Sequence, residues 1–352
     1  MKRNVKTPTL ALIDDGIHHS CVTADQPFES YIADEYGVIQ GMVPEGYGTH
    51  ALACYNMFKK NIRVPYRLIS IKVINHETGT GLKKSLLSAL HWCAQHDIDI
   101  ISMSMGTRQH SDFAQVSKAV NALSKTIIVA ACNNQNTLTY PACLPNVIGA
   151  RHYKEKTLRD RFAYIPNPYD QIELVTCAED ASNSMAVPIV TAHVCEYIAK
   201  GFSGLRVIKQ KLKEDAVQDI SFVNYDFYKN LLPEWEEIQI PIVVLPDDIP
   251  EGIDKLKHLV AVFVENGYRA AILSQNHKTC VANHIFSLSW QGAQAYLLDL
   301  IKLYHNFILP DILFLHIKRE HICSIEADIV IEPGWFNESV QHLFWQIKEK
   351  FS

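Results

Sequence analysis

A chain of 352 residues with 48% hydrophobic and 20% charged side chains is long enough for about two globular domains, each with its own core. Its formal net charge of -5 excludes a basic nucleic-acid binder, and 15 glycines and 15 prolines are too few for a collagenous or linker-dominated chain. The longest charge-free run, 126–150, has the length of a membrane span, but Asn133, Asn134, Gln135, Asn136 and Pro141 make it too polar for one.

Lys2, Arg3 and Lys6 precede an apolar run over 10–13 that is far short of a secretory signal and instead predicts a buried strand. A helix is expected over 51–59, a strand over 68–73 and a helix over 83–95. Strands over 98–105 and 126–131 flank a helix over 113–123. A long helix begins near Ser184 and stops at Gly201, a residue suited to end it, and another covers 205–214. Continuous apolar strands separated by helices predict a parallel sheet covered on both faces. Residues 225–239 are rich in aromatics and acids without a clean period, which places a boundary near residue 230. Alternation then resumes as strand 240–245, helix 252–266, strand 270–274, helix 292–304, strands 312–316 and 329–331, and helix 338–350. The expected organisation is α/β throughout, with a large domain over 1–225 and a smaller one over 236–352.

The nine cysteines are odd in number, widely spaced and without a Cys-x-x-Cys pair. Free thiols in a reducing compartment follow, which favours a cytoplasmic chain.

Four segments carry the chemistry. Asp14-Asp15-Gly16 closes a buried strand, where catalytic groups collect in open α/β sheets, although Asp-Gly is also a common turn. Gly46-Tyr47-Gly48-Thr49-His50 leads into a helix and sets His50 in its first turn, where a lone histidine is more often a capping or core residue. Asn133 follows the strand over 126–131; it is either a turn former or a neutral donor to a developing oxyanion. Ser184 opens a helix, where it is either an N-cap or a nucleophile aided by free N–H groups and the helix dipole. Pro188 falls in the same helix's first turns.

In their order, Asp14-Asp15-Gly16, Gly48-Thr49-His50 and Ser184-Met185-Ala186-Val187-Pro188 resemble the three signatures of the subtilisin-like serine proteases. Ile101-Ser102-Met103-Ser104-Met105-Gly106 is similar to that family's Ser-Leu-Gly edge strand, and Thr139-Tyr140-Pro141-Ala142 to the segment lining its primary specificity pocket. The resemblance covers about residues 8 to 215. It implies a doubly wound parallel sheet and a triad in which Ser184 attacks a peptide carbonyl, His50 serves as general base and Asp14 orients the imidazole. Strand alternation sends Asp14 and Asp15 to opposite sides, and the family pattern favours Asp14. Asn133 would complete the oxyanion hole with the Ser184 N–H. Ser104, Met105 and Gly106 would pair with an extended substrate, and Cys132, Thr139 and Tyr140 would line its pocket.

Three positions depart from the family pattern. Tyr47 replaces a histidine, Cys132 a glycine, and Ser182-Asn183 a Gly-Thr pair. Cys132 is expected to narrow the pocket, and Ser182-Asn183 to alter the backbone around the nucleophile. A slow, selective processing enzyme is the expectation. Asp14 lies so early that an intracellular member without a prosegment is expected, restrained by selectivity, a partner or the second domain. No Asp-rich loop marks a structural calcium site, so no cofactor is expected.

Other signals are weaker. Thr78-Gly79-Thr80-Gly81-Leu82-Lys83-Lys84-Ser85 has the wrong spacing for a phosphate loop and reads as a turn before a helix. His18-His19 has no second ligand cluster, and Asp247-Asp248 and Glu332 read as polar strand ends facing water. The sequence therefore points to a serine endopeptidase acting on a specific peptide or precursor protein, with leader removal from a ribosomally made peptide as its sharpest form. The alternative is a catalytically impaired peptide-binding module on the same fold. Partners are a peptide or precursor, with neither nucleic acid nor membrane; oligomeric state is left open.

Overall fold

The computed structural model describes residues 6–44, 49–75, 80–81, 83–166, 168–218, 225–232, 235–288 and 297–351. Gly46, Tyr47, Gly48, Thr78, Gly79, Leu82 and the start of the helix expected over 292–304 lie outside them. By its internal contacts the chain forms two compact units, Met1–Thr107 with Ala114–Ile220, and Arg108–Phe113 with Ser221–Ser352.

The first unit contains strands β1 (Thr9–Asp14), β2 (Phe28–Ala33), β3 (Val38–Gln40), β4 (Arg67–Lys72), β5 (Ile74–Asn75), β6 (Thr80–Gly81), β7 (Ile100–Met103), β8 (Ile127–Ala131), β9 (Ile148–His152), β10 (Phe162–Tyr164) and β11 (Leu174–Thr176). Its helices are α1 (Thr49–Asn61), α2 (Lys83–Ala94), α3 (Phe113–Asn121), α4 (Asn183–Ala199) and α5 (Leu205–Asp215). Nine strands join in the order β10-β11-β9-β8-β7-β1-β4-β2-β3. The seven inner strands run parallel, while β3 and β10 pair antiparallel at the edges. All six residues of β1 are buried, as a strand covered on both faces requires. Leu10 and Leu12 join the core formed with α1 and α4, and alternation turns Ala11 and Ile13 to the other face, where α2 packs on β1.

Helix α4 is apolar around almost its whole circumference and packs on α1 and on β7, β8, β9 and β11. A helix with no polar stripe belongs in the interior. That burial is what anchors its first turn beneath the strand ends. Gly16 makes the turn after β1 possible: its φ is 87°, and a Cβ there would meet Val43 Cγ2 at 2.5 Å. No helix of the described residues is long and apolar enough to cross a membrane; the 126–150 run holds β8, a turn and the start of β9.

The second unit adds α6 (Tyr225–Leu231), β12 (Ile242–Pro246), α7 (Gly252–Glu265), β13 (Ala270–Ser274), β14 (Ile285–Ser287), α8 (Leu297–Ile308), β15 (Ile312–Ile317), β16 (Ile329–Val330) and α9 (Val340–Lys350). Its five strands are all parallel, in the order β14-β13-β15-β12-β16. Helices α7 and α9 pack together through an edge-to-face contact of Phe263 and Phe344, with ring centres 4.7 Å apart.

Candidate active site

The carboxyl ends of β1, β7 and β8 deliver Asp14, Ser104 and Asn133, while α1 and α4 supply His50 and Ser184 from their first turns. Asp14 is 1% exposed, and both its oxygens lie 2.9 Å from His50 Nδ1. That bond holds the His50 imidazolium above the ordinary histidine range, against the opposing effect of burial. Ser104 Oγ donates to the other side of the Asp14 carboxylate, and the Asp15 N–H donates to Asp14 Oδ1 at 2.8 Å. The carboxylate is thus held by three donors from three places in the chain.

Asp15 does not turn away from this group, contrary to the expectation from alternation. It lies past the end of β1, where strand periodicity no longer governs it, and its carboxylate accepts from His50 N at 3.2 Å and Ala51 N at 2.7 Å. It therefore caps α1 from outside the helix, satisfying N–H groups that would otherwise have no intrahelical partner. Burial raises the Asp15 carboxyl above the usual carboxylate range, only partly offset by those donors.

Ser184 is the second residue of α4 and 9% exposed. The cap of that helix is Ser182, whose Oγ accepts from Met185 N at 3.4 Å, so the N-cap reading of Ser184 is replaced by one two residues earlier. Pro188 is the sixth helical residue, in the second turn of α4. The N–H it lacks would have reached the Ser184 carbonyl, four residues back. Ser184 Oγ lies 3.5 Å from the Ser104 carbonyl, and among the described residues no hydrogen bond joins it to His50. Hydroxyl and imidazole are held on neighbouring helix starts without a closed bond, a separation common before substrate arrives.

Asn133 follows β8, and its amide is engaged within its own loop. Nδ2 lies 2.7 Å from Thr139 Oγ1, 2.7 Å from Thr137 Oγ1 and 3.1 Å from the Thr137 carbonyl. Its Oδ1 accepts from Gln135 N at 2.8 Å and Thr137 N at 3.3 Å. Cys132, Thr139 and Tyr140 are no more than 2% exposed. The Cys132 thiol lies 3.7 Å from the Thr137 carbonyl and 4.0 Å from Arg151 Nη2, and burial pushes it up to about 11. Arg151 forms a wholly buried ion pair with Asp170. Ser104 and Met105 are half-buried and Gly106 is exposed. A Cβ on Gly106 would strike the Tyr140 carbonyl at 2.5 Å, so glycine is required where the 104–106 segment crosses Thr139 and Tyr140.

Asp14, His50 and Cys54 place one donor atom each within 4.8 Å of one another, with Cys54 Sγ 4.0 Å from His50 Nδ1. A soft cation there would compete with Asp14 for Nδ1. Two contributors were not evident from sequence. The Ser104 side chain bonds Asp14, whereas the motif offers only its backbone, and Asp15 caps α1. The adjacent acids in Asp14-Asp15 were the available signal for the second.

Residues 58–295 match the model of the subtilase family. The chain belongs to the subtilase family. The match holds Asn133 and Ser184 and begins after Asp14 and His50. Subtilisin DY of Bacillus licheniformis is 30% identical over 114 residues, 29% of this chain and 41% of that protein. Subtilisin NAT of Bacillus subtilis subsp. natto is 26% identical over 181 residues, 47% of this chain and 45% of that protein. The chain thus spans less than half the length of these curated relatives. Among solved structures, a cold adapted subtilisin-like serine proteinase has a TM-score of 0.47 at 16% identity, over 62% of this chain and 87% of its own. The prenylagaramide maturation protease PagA has a TM-score of 0.41 at 16% identity, over 59% and 83%.

Proposed function

We propose that this subtilase is a serine endopeptidase that works through Asp14, His50 and Ser184. The observation that carries the reading is the Asp14–His50 pair at 2.9 Å, beside a serine in the first turn of α4. With Nδ1 donating to Asp14, His50 keeps its Nε2 lone pair as the base. Ser184 Oγ loses its proton to Nε2 as it attacks the peptide carbonyl, and the same proton passes to the leaving amine. Water then repeats the exchange on the acyl-enzyme, and His50 returns to neutral. The developing oxyanion is met by the Ser184 N–H at the positive end of α4, and by Asn133 once its amide turns from Thr137 and Thr139.

The substrate is proposed to be a specific peptide or precursor protein, taken as an added strand along 104–106. Selectivity rather than general digestion is supported by Cys132, a buried thiol where the family pattern has glycine, beside the buried Thr139 and Tyr140. The reading extends to maturation of a ribosomally made peptide, with the second unit docking its leader. A second reading, a peptide-binding module with impaired catalysis, is favoured by the engaged Asn133 amide and the open Ser184–His50 contact.

A fluorophosphonate probe separates the two. Labelling of the folded chain that disappears in Ser184→Ala supports the peptidase; a folded wild type that takes no label supports the binder.

A further inference from the structure

Asn183 stands where the family pattern has threonine, and its side chain and N–H bond to four residues distant in sequence. It is 4% exposed. Its Nδ2 donates to the Asn133 carbonyl at 2.6 Å and to Asn136 Oδ1 at 2.9 Å, and its Oδ1 accepts from His152 N at 2.8 Å. Its own N–H donates to Asn134 Oδ1 at 3.0 Å. Every one of these partners lies in the loop leaving β8 or at the end of β9, between 31 and 50 residues away in sequence. A hydroxyl could supply one donor and an acceptor but not the second donor, and an aspartate could supply neither donor when ionised.

We infer that Asn183 is a positioning residue, one that fixes the main chain of Asn133 relative to the Ser184 N–H and so sets the spacing of the oxyanion site. The inference rests on the peptidase reading above. Its physical content is that both donors hang from peptides this amide holds. Ser184 is the next residue in the chain, and the Asn133 carbonyl is bonded directly. Asn136 contributes from a left-handed backbone with φ of 55°, a conformation asparagine tolerates better than other non-glycine residues. The departure at Ser182-Asn183 and the asparagine-rich run 133–136 are therefore one unit. Each supplies the donors or acceptors that the other lacks.

The test uses the full chain, with kcat and KM on a peptide it cleaves, the rate of fluorophosphonate labelling, and Tm. Asn183→Ala is expected to lower kcat and labelling about 100-fold with KM within about threefold, because misplacing a reacting group by an ångström has effects of that size. Asn183→Asp keeps the shape but turns lone pairs toward two acceptors, and is expected to lose a similar factor. Asn136→Gly keeps the left-handed turn, removes one acceptor and is expected to lose about tenfold. Val190→Ala, in the buried part of the same helix, is the control: Tm falls while kcat stays at the wild-type value. Wild-type kcat in a folded Asn183 variant, or an equal kcat loss in Val190→Ala, overturns the inference and leaves the peptidase standing. A wild type without Ser184-dependent labelling overturns both.

Discussion

Each of the two main sheets has a histidine near its strand ends, with opposite outcomes. His50 sits beside the β1 strand end with a carboxylate on Nδ1, and that partner raises it above the ordinary histidine range. His316 lies in β15 of the second unit, 3% exposed, with the Ser274 hydroxyl 3.1 Å from its Nδ1. Burial pushes it down to about 4, with no facing carboxylate strong enough to reverse this; Asp247 opposes the fall and His277, also 3.1 Å from Ser274 Oγ, adds to it. A strand end does not by itself make a base. A neighbouring negative charge holds an imidazole ready to accept a proton, whereas a hydroxyl in a dry pocket holds it neutral.

The largest way to break this comparison is to take the charge from His50. Asp14→Asn is expected to cost about 10⁴-fold in kcat, through loss of the correct tautomer and of support for the imidazolium. A loss under about tenfold would show that Asp14 is structural. Next comes the pH profile: kcat/KM should rise with pH as His50 deprotonates, with a midpoint above the model-peptide value of about 6.5. In any Asp14→Asn activity that survives, the midpoint should fall.

The second unit sharpens the contrast through stability. His110 is pushed down to about 3, and His284 and His316 to about 4, each chiefly by burial. Between pH 6.5 and 4 the unfolded chain takes up protons that these folded groups refuse. Their stabilising contribution is full above the unfolded value and declines as pH falls, by up to about 1.4 kcal/mol per pH unit for each group. Urea midpoints measured from pH 7 to 4.5 should therefore fall, and His316→Asn should flatten the slope; an unchanged slope removes His316 from the account. The smallest effect is at the α1 cap, where Asp15→Ala should cost about 1 kcal/mol in stability while Ser184 labelling persists. Abolished labelling in a folded Asp15→Ala protein would make Asp15 part of the chemistry.

Legibility followed the strength of the local signal. The strands β1, β8, β13 and β15 were readable because each is a largely apolar run buried on both faces, and β4 because Leu68, Ile69 and Ile71 flank a single buried serine. The strand β2 was not, since Phe28–Ala33 is half-buried along most of its length. Three-residue strands such as β10, β11 and β14 are too short for any period and exist because a formed sheet offers them partners. At the candidate site, Asp14, His50 and Ser184 were marked by motifs. Ser104 was marked only as a substrate-pairing residue and Asn183 only as a departure from the family pattern; their side-chain roles were not legible, because they are bonds to residues 90 and 50 positions away.

Sequence alone determined the long buried strands and the helices of the α/β alternation, and which residues bear a carboxylate, an imidazole or a hydroxyl at their ends. Those are local properties, set by side-chain type and spacing. Only the tertiary structure decided that Asp15 caps α1, that Ser182 rather than Ser184 caps α4, that the Asn133 amide faces Thr137 and Thr139, and that Asn183 joins two loops. The reason is directional: a hydrogen bond is made or missed within a few tenths of an ångström, and only the packed strands and helices set distances that fine.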